Sequence, residues 1–99
     1  MSQIVYQTED REGRSVEVMT GWDRQLQYHF LNVSRLDDEG EDIELLYTNL
    51  DRASPGMSTD EIRTELEERD IPLPSNLIAR LEEDRRENRG NRIVNMGEI

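Results

Sequence analysis

Ninety-nine residues suffice for one domain with a small core, because a chain of this length hides only about 60–65% of the surface it exposes when unfolded. Its 23 acidic side chains against 12 arginines and no lysine give a net charge of −11, which repels phosphate backbones and anionic lipid and attracts a basic partner. The absence of cysteine excludes disulfides, thiolate catalysis and thiol metal sites, and the single His29 cannot build a multi-histidine cage.

The first stretch, "QIVYQ", is a short apolar run closed by "TEDREG", whose charges and Gly13 mark a turn, so it reads as an edge strand. "RSVEVMT" sets Val16, Val18 and Thr20 on one face against Ser15, Glu17 and Met19 on the other, the two-residue period of a half-buried strand. After "GWDRQ" comes "LQYHFLNVSRL", rich in aromatic and β-branched residues. Leu26, Tyr28 and Phe30 point one way and Leu31 and Val33 the other, which describes either a central strand covered on both sides or a strand with a bulge. "DDEGED" makes a charged hairpin tip, and "IELLYTN" returns with Ile43, Leu45 and Tyr47 on one face.

From residue 51 the period changes. Met57, Ser58, Glu61 and Ile62 have the spacing of a capping box with a hydrophobic staple, which predicts a helix over about 58–69 with a thin stripe of Ile62 and Leu66. "DIPLPS" breaks the chain, Ser75 is expected to cap a second helix, and Leu77, Ile78 and Leu81 form its apolar face. Gly90 suits the left-handed closing position, and "RIVNM" adds a short last strand. The expected fold is α+β: a three- to four-stranded antiparallel meander packed against a C-terminal helical hairpin. It forms one domain over 1–99, with the meander in 1–50, the helical hairpin and final strand in 51–94, and a loose tail in 95–99.

Five arginines (Arg80, Arg85, Arg86, Arg89 and Arg92) crowd the end of this second helix. Continued at the helical angle, its inward stripe runs through Asp84, Arg85 and Asn88, while Arg86 and Arg89 point elsewhere. One reading is an internal polar network overhanging a small core. The other is a cleft in which Asp84, Arg85, Asn88, Asn91 and Arg92 face the loop of Trp22, Asp23 and Arg24, suited to a carboxylate, a phosphate or a protein side chain.

Other motifs are less specific. Aligning Gly40 with the sixth position of a calcium loop puts Arg35 at the first and Leu46 at the twelfth, where carboxylates are required. His29 lacks a recognisable nucleophile nearby and reads as structural rather than as a general base. Trp22 is either a lid on the core or an exposed anchor. No catalytic residue, metal site or cofactor is expected. No apolar run reaches the length of a membrane span and the N-terminus lacks the regions of a signal peptide, so a cytoplasmic location is expected.

Two resemblances are carried by particular stretches. "MSTDEIRTELEERDIPLPSNLIARLEED", 57–84, is similar in outline to the SAP helix-turn-helix module, which implies DNA binding, although acids replace most of that module's basic residues. "GWDRQL" (21–26), "YTNL" (47–50) and "NRGNR" (88–92) resemble a group of small bacterial proteins without an assigned activity, departing from the group at Gln25, where a proline is expected. That resemblance implies that "GWDR" and "NRGNR" form one unit, with Asp23–Arg92 or Arg24–Asp84 as pairs. The functional expectation is a non-enzymatic protein-interaction or accessory module with a protein partner, possible partners being a basic protein or a second copy through an exposed edge strand. Nucleic acid and membrane partners are disfavoured by charge. The alternative is a nucleic-acid-related role, as a SAP-like binder or as an acidic DNA mimic that occupies a DNA-binding protein. Acidity without lysine also fits adaptation to a salty habitat, with no partner at all.

Overall fold

The computed structural model describes every residue, 1–99. Four strands come first, β1 (Ser2–Glu9), β2 (Ser15–Asp23), β3 (Tyr28–Leu36) and β4 (Asp42–Thr48), followed by a 3-10 turn at Asn49–Asp51. Two helices and a fifth strand complete the chain: α1 (Thr59–Glu68), α2 (Leu77–Arg86) and β5 (Arg92–Glu98). The fold is α+β, with one sheet in the order β4-β3-β2-β1-β5.

β1 to β4 form the antiparallel meander, but β5 lies beside β1 and parallel to it. The sheet is therefore five-stranded and mixed, not an antiparallel meander of three or four strands. After β4, at one edge, the chain crosses a single face of the sheet in its two helices and arrives at the opposite edge. Side-chain alternation reports which face of a strand is buried, not the direction of its neighbour, so the parallel pairing leaves no mark in the pattern. β5 also takes in residues 95–98 of the expected tail, and Ile99 N–H donates to Gln7 O at 2.9 Å.

The two tight hairpins are built alike. Asp10 in "DREGR" and Asp37 in "DDEGE" each accept two amides on Oδ1, from Glu12 and Arg14 and from Glu39 and Glu41, at 2.9–3.0 Å. Gly13 and Gly40 take the left-handed position at φ 77° and 83°. The first carboxylate of "DDEGED" is thus committed to its own turn.

Register shifts in the β3–β4 pair have a larger effect. Tyr47 aligns with Val33, but Leu45 aligns with Ser34, so Leu46 is an inserted residue. One extra residue moves Leu45 to the face opposite Tyr47, and the expectation that Ile43, Leu45 and Tyr47 share a face does not hold. Leu26 also falls outside β3, in the hairpin loop, where it is exposed.

The core lies between the helices and one sheet face. Ile4, Tyr6, Val16, Val18, Leu31 and Val33 meet Met57, Ile62, Leu66, Ile71, Leu77 and Leu81. α1 starts as the sequence predicts: Ser58 Oγ accepts from Glu61 N at 3.1 Å and Glu61 Oε1 accepts from Ser58 N at 3.0 Å. α2 does not. Asn76, not Ser75, occupies its cap position, and no side chain caps it. No helix is long and apolar enough to cross a membrane.

Candidate functional site

The polar end of α2 meets the Trp22 hairpin at one end of the sheet. Asp84, one turn beyond Leu81, continues the inward stripe and is completely buried. It accepts from Ser2 Oγ at 2.6 Å, Arg89 Nε at 2.9 Å and Arg92 Nη2 at 3.0 Å. Two charged donors and a hydroxyl compensate the desolvated carboxylate. They also join the start of β1, the end of α2 and the start of β5. Arg89, expected to point elsewhere, is drawn in because the chain turns sharply after Arg86.

That turn is made by Asn88, at φ 47°. Asn88 N–H donates to Arg85 O at 3.1 Å and Arg89 N–H to Asp84 O at 2.9 Å, the paired bonds of a Schellman closure. Gly90 was the predicted left-handed residue, but the helix ends earlier and asparagine, which tolerates this backbone, serves instead. Asn88 Oδ1 then accepts from Trp22 Nε1 at 3.0 Å and Gln27 Nε2 at 2.7 Å.

Trp22 is buried and stands edge-on to His29, with ring centroids 5.0 Å apart at 63°. His29 Nε2 is 2.9 Å from Leu81 O, and since a carbonyl only accepts, this nitrogen carries the hydrogen. Burial holds the His29 pKa below its ordinary value, against the opposing pull of the Leu81 carbonyl.

The structure therefore brings together Trp22, Asp84, Asn88 and Arg92 of the predicted site. Asp23 accepts the Gln25 and Leu26 amides on Oδ1 at 3.0 Å each, pinning the hairpin rather than pairing with Arg92. Arg24 is exposed and lies over Gly90, where an added Cβ would come within 3.3 Å of its Nη1; it does not reach Asp84. Asn91 Oδ1 accepts from the Met1 ammonium at 2.6 Å. Arg85 stands apart, 60% exposed and 3.9 Å from Glu82.

Ser2, Gln27, His29 and Arg89 complete the cluster and were not placed by sequence reasoning. The alternation of Ser2, Ile4 and Tyr6 was a usable signal for Ser2 on the core face. Trp22 and Asn88 touch directly, so no cleft separates them. The neighbouring hollow of about 330 Å³ lies outside, against Asp23, Asn91, Arg92 and Ile93. Chemically, the cluster neutralises a buried charge and holds separate chain segments together.

A second feature is the sheet face turned away from the helices. Its register rows run Ile93, Gln3, Gly21 and Phe30; Asn95, Val5, Met19, Asn32 and Thr48; and Gln7, Glu17, Ser34 and Leu45. Val5 and Met19 are half-buried, whereas Leu45 and Ile93 are 58% and 72% exposed. Asp42, Glu44 and Glu98 are exposed at its two edges. Two further hollows are acidic. One of about 450 Å³ lies between Tyr47, Arg52 and the carboxylates of α1, and one of about 780 Å³ lies beside the β3–β4 turn.

No family model matches the chain, and comparisons with curated proteins and with solved structures likewise find no match.

Proposed function

We propose that the protein is a non-enzymatic interaction module that offers the helix-free face of its sheet to a basic protein partner. The observation that carries this reading is that half-buried Val5 and Met19 and exposed Leu45, in neighbouring rows, share the sheet face on which no helix packs. Apolar side chains set among polar ones, with Glu17 on the face and further carboxylates at its edges, on a molecule of net charge −11, complement apolar anchors flanked by lysines or arginines. The fate of the arginines supports a protein over a nucleic acid. Arg89 and Arg92 spend their charge on Asp84, and Arg85 lies beside the Glu82 carboxylate.

The protein immobilised and exposed to an extract of its native host is expected to retain specific proteins, less strongly as salt rises. The double substitution Met19→Glu, Leu45→Glu abolishes retention while leaving the circular dichroism and melting temperature unchanged, and Arg85→Ala retains the same set. Equal retention by all variants, or loss with Arg85→Ala alone, overturns the reading. Release of the retained protein by duplex DNA identifies the mimic form of the same activity.

A further inference from the structure

β5 is the outer strand of the sheet, and its far side is unpaired. Arg92 N–H donates to Met1 O at 3.3 Å, and in a parallel ladder alternate residues turn to the same neighbour. Arg92 and Val94 therefore bond to β1, while the N–H and C=O groups of Ile93 and Asn95 point away from the sheet. Free groups of this kind template another strand.

The two edges of the sheet differ. β4 is blunted by two register shifts and by the carboxylates of Asp42 and Glu44, devices that oppose strand addition. β5 is regular from Arg92 to Asn95, its one register shift falling beyond Asn95 where Gly97 takes φ 72°, and it has no acidic residue before Glu98. Its Ile93, 72% exposed, is the most exposed of the large apolar side chains.

We propose that β5 pairs with β5 of a second copy, antiparallel about Val94, so that two sheets become one. In this register each Ile93 exchanges backbone bonds with Asn95 of the other copy, and the two Val94 side chains meet on the helix side. Charge supports the same direction of pairing. It carries Glu98 of each copy to the start of the other's β5, where Arg24 lies over Gly90 and has no carboxylate within 4.0 Å. The edge is thus self-complementary in charge although each molecule carries a net −11. A contact of this size belongs to weak, reversible dimers.

Sedimentation velocity on the full chain, over a concentration series reaching the millimolar range, is expected to show a reversible monomer–dimer equilibrium. Ile93→Lys weakens it by roughly tenfold or more, whereas Leu50→Lys, at an equally exposed apolar position beyond the opposite edge, leaves it unchanged. Arg24→Glu and Glu98→Arg each weaken association, and the two together restore it. Circular dichroism and melting temperature check that every variant is folded. A monomer throughout the series, a dimer indifferent to Ile93→Lys or lost with Leu50→Lys, or charge reversals that fail to compensate would each overturn the proposal.

Discussion

Asp84 occupies a position where the stripe of Leu77 and Leu81 calls for another apolar side chain, and it is as fully buried as they are. Desolvating a carboxylate costs several kcal/mol, which only the donors from Ser2, Arg89 and Arg92 offset. Asp84→Ala leaves Arg92 without a carboxylate acceptor and Arg89 with only Glu83 and Glu87 at the surface. Both are about a third exposed and recover part of their hydration, so the expected loss is about 3 kcal/mol, the low end for a broken buried pair. Urea denaturation measures it, and a loss below about 1 kcal/mol would show that water replaces the carboxylate freely. The helical angle alone made Asp84 legible as an inward polar residue, but Arg89 lies past the end of the helix, where that angle no longer applies. His29 gives this end of the molecule a pH dependence. Burial lowers its folded pKa beneath the 6.5 of the unfolded chain, so between those values the unfolded chain holds more protons. The contribution is complete above 6.5 and is lost as pH falls through 6.5 toward the folded value. His29→Gln keeps a donor for the Leu81 carbonyl and removes the titration. Denaturation midpoints from about pH 7.5 down to about pH 5.5 should then fall more steeply for the wild type than for the variant; parallel curves would contradict this account.

The start of α1 and its end near residue 69 were readable, whereas the end of α2 and the residue that closes each helix were not, for one physical reason. A capping box is a side-chain motif written in Ser58 and Glu61, whereas a Schellman closure asks only for a left-handed residue, and both closures here use one other than glycine. Asp70 holds φ 55°, with Asp70 N–H to Glu67 O at 3.0 Å and Ile71 N–H to Leu66 O at 2.9 Å, the same pair of bonds that Asn88 makes for α2. The two positions differ in what their side chains do. Asp70 contributes an exposed ion pair with Arg11, worth little in water. Asn88 holds Trp22 and Gln27. Asp70→Gly is therefore expected to stabilise the protein by about 0.5–1 kcal/mol by relieving the left-handed strain. Asn88→Gly relieves the same strain but removes two hydrogen bonds worth about 1 kcal/mol each, for a net loss. Thermal melts of the two variants should move in opposite directions, and movement in the same direction would detach Asn88 from the hairpin. Backbone space imposes a separate rule at Gly21, where a Cβ would sit 1.8 Å from the Ser2 carbonyl oxygen, a limit set by strand pairing that no local pattern records.

At the scale of the molecule, the alternation of Val16, Val18 and Val33 was enough to reveal half-buried strands, and the switch of period near residue 51 was enough to reveal helices over a sheet. The position of β5 was not readable, because its partner β1 lies at the other end of the chain and parallel pairing depends on the path of the helical crossing. The same crossing leaves one sheet face bare, so the surface proposed for binding is a consequence of topology rather than of any motif. Net charge acts at this scale too. At an ionic strength of about 0.01 M the screening length of about 30 Å exceeds the 12.8 Å radius of gyration, so the excess carboxylates repel one another across the whole molecule. At about 0.15 M it contracts to about 8 Å, and only near neighbours still interact. The exposed pairs, such as Arg35–Glu44 and Arg63–Asp60, weaken together with the repulsion, but they contribute little individually, and the buried Asp84 cluster is screened least. The melting temperature is therefore expected to rise between these two salt concentrations, and to rise less in a variant where Glu67→Gln and Glu68→Gln remove two exposed charges. A melting temperature that falls with added salt would mean that the surface ion pairs, not the excess negative charge, dominate the electrostatics of the folded chain.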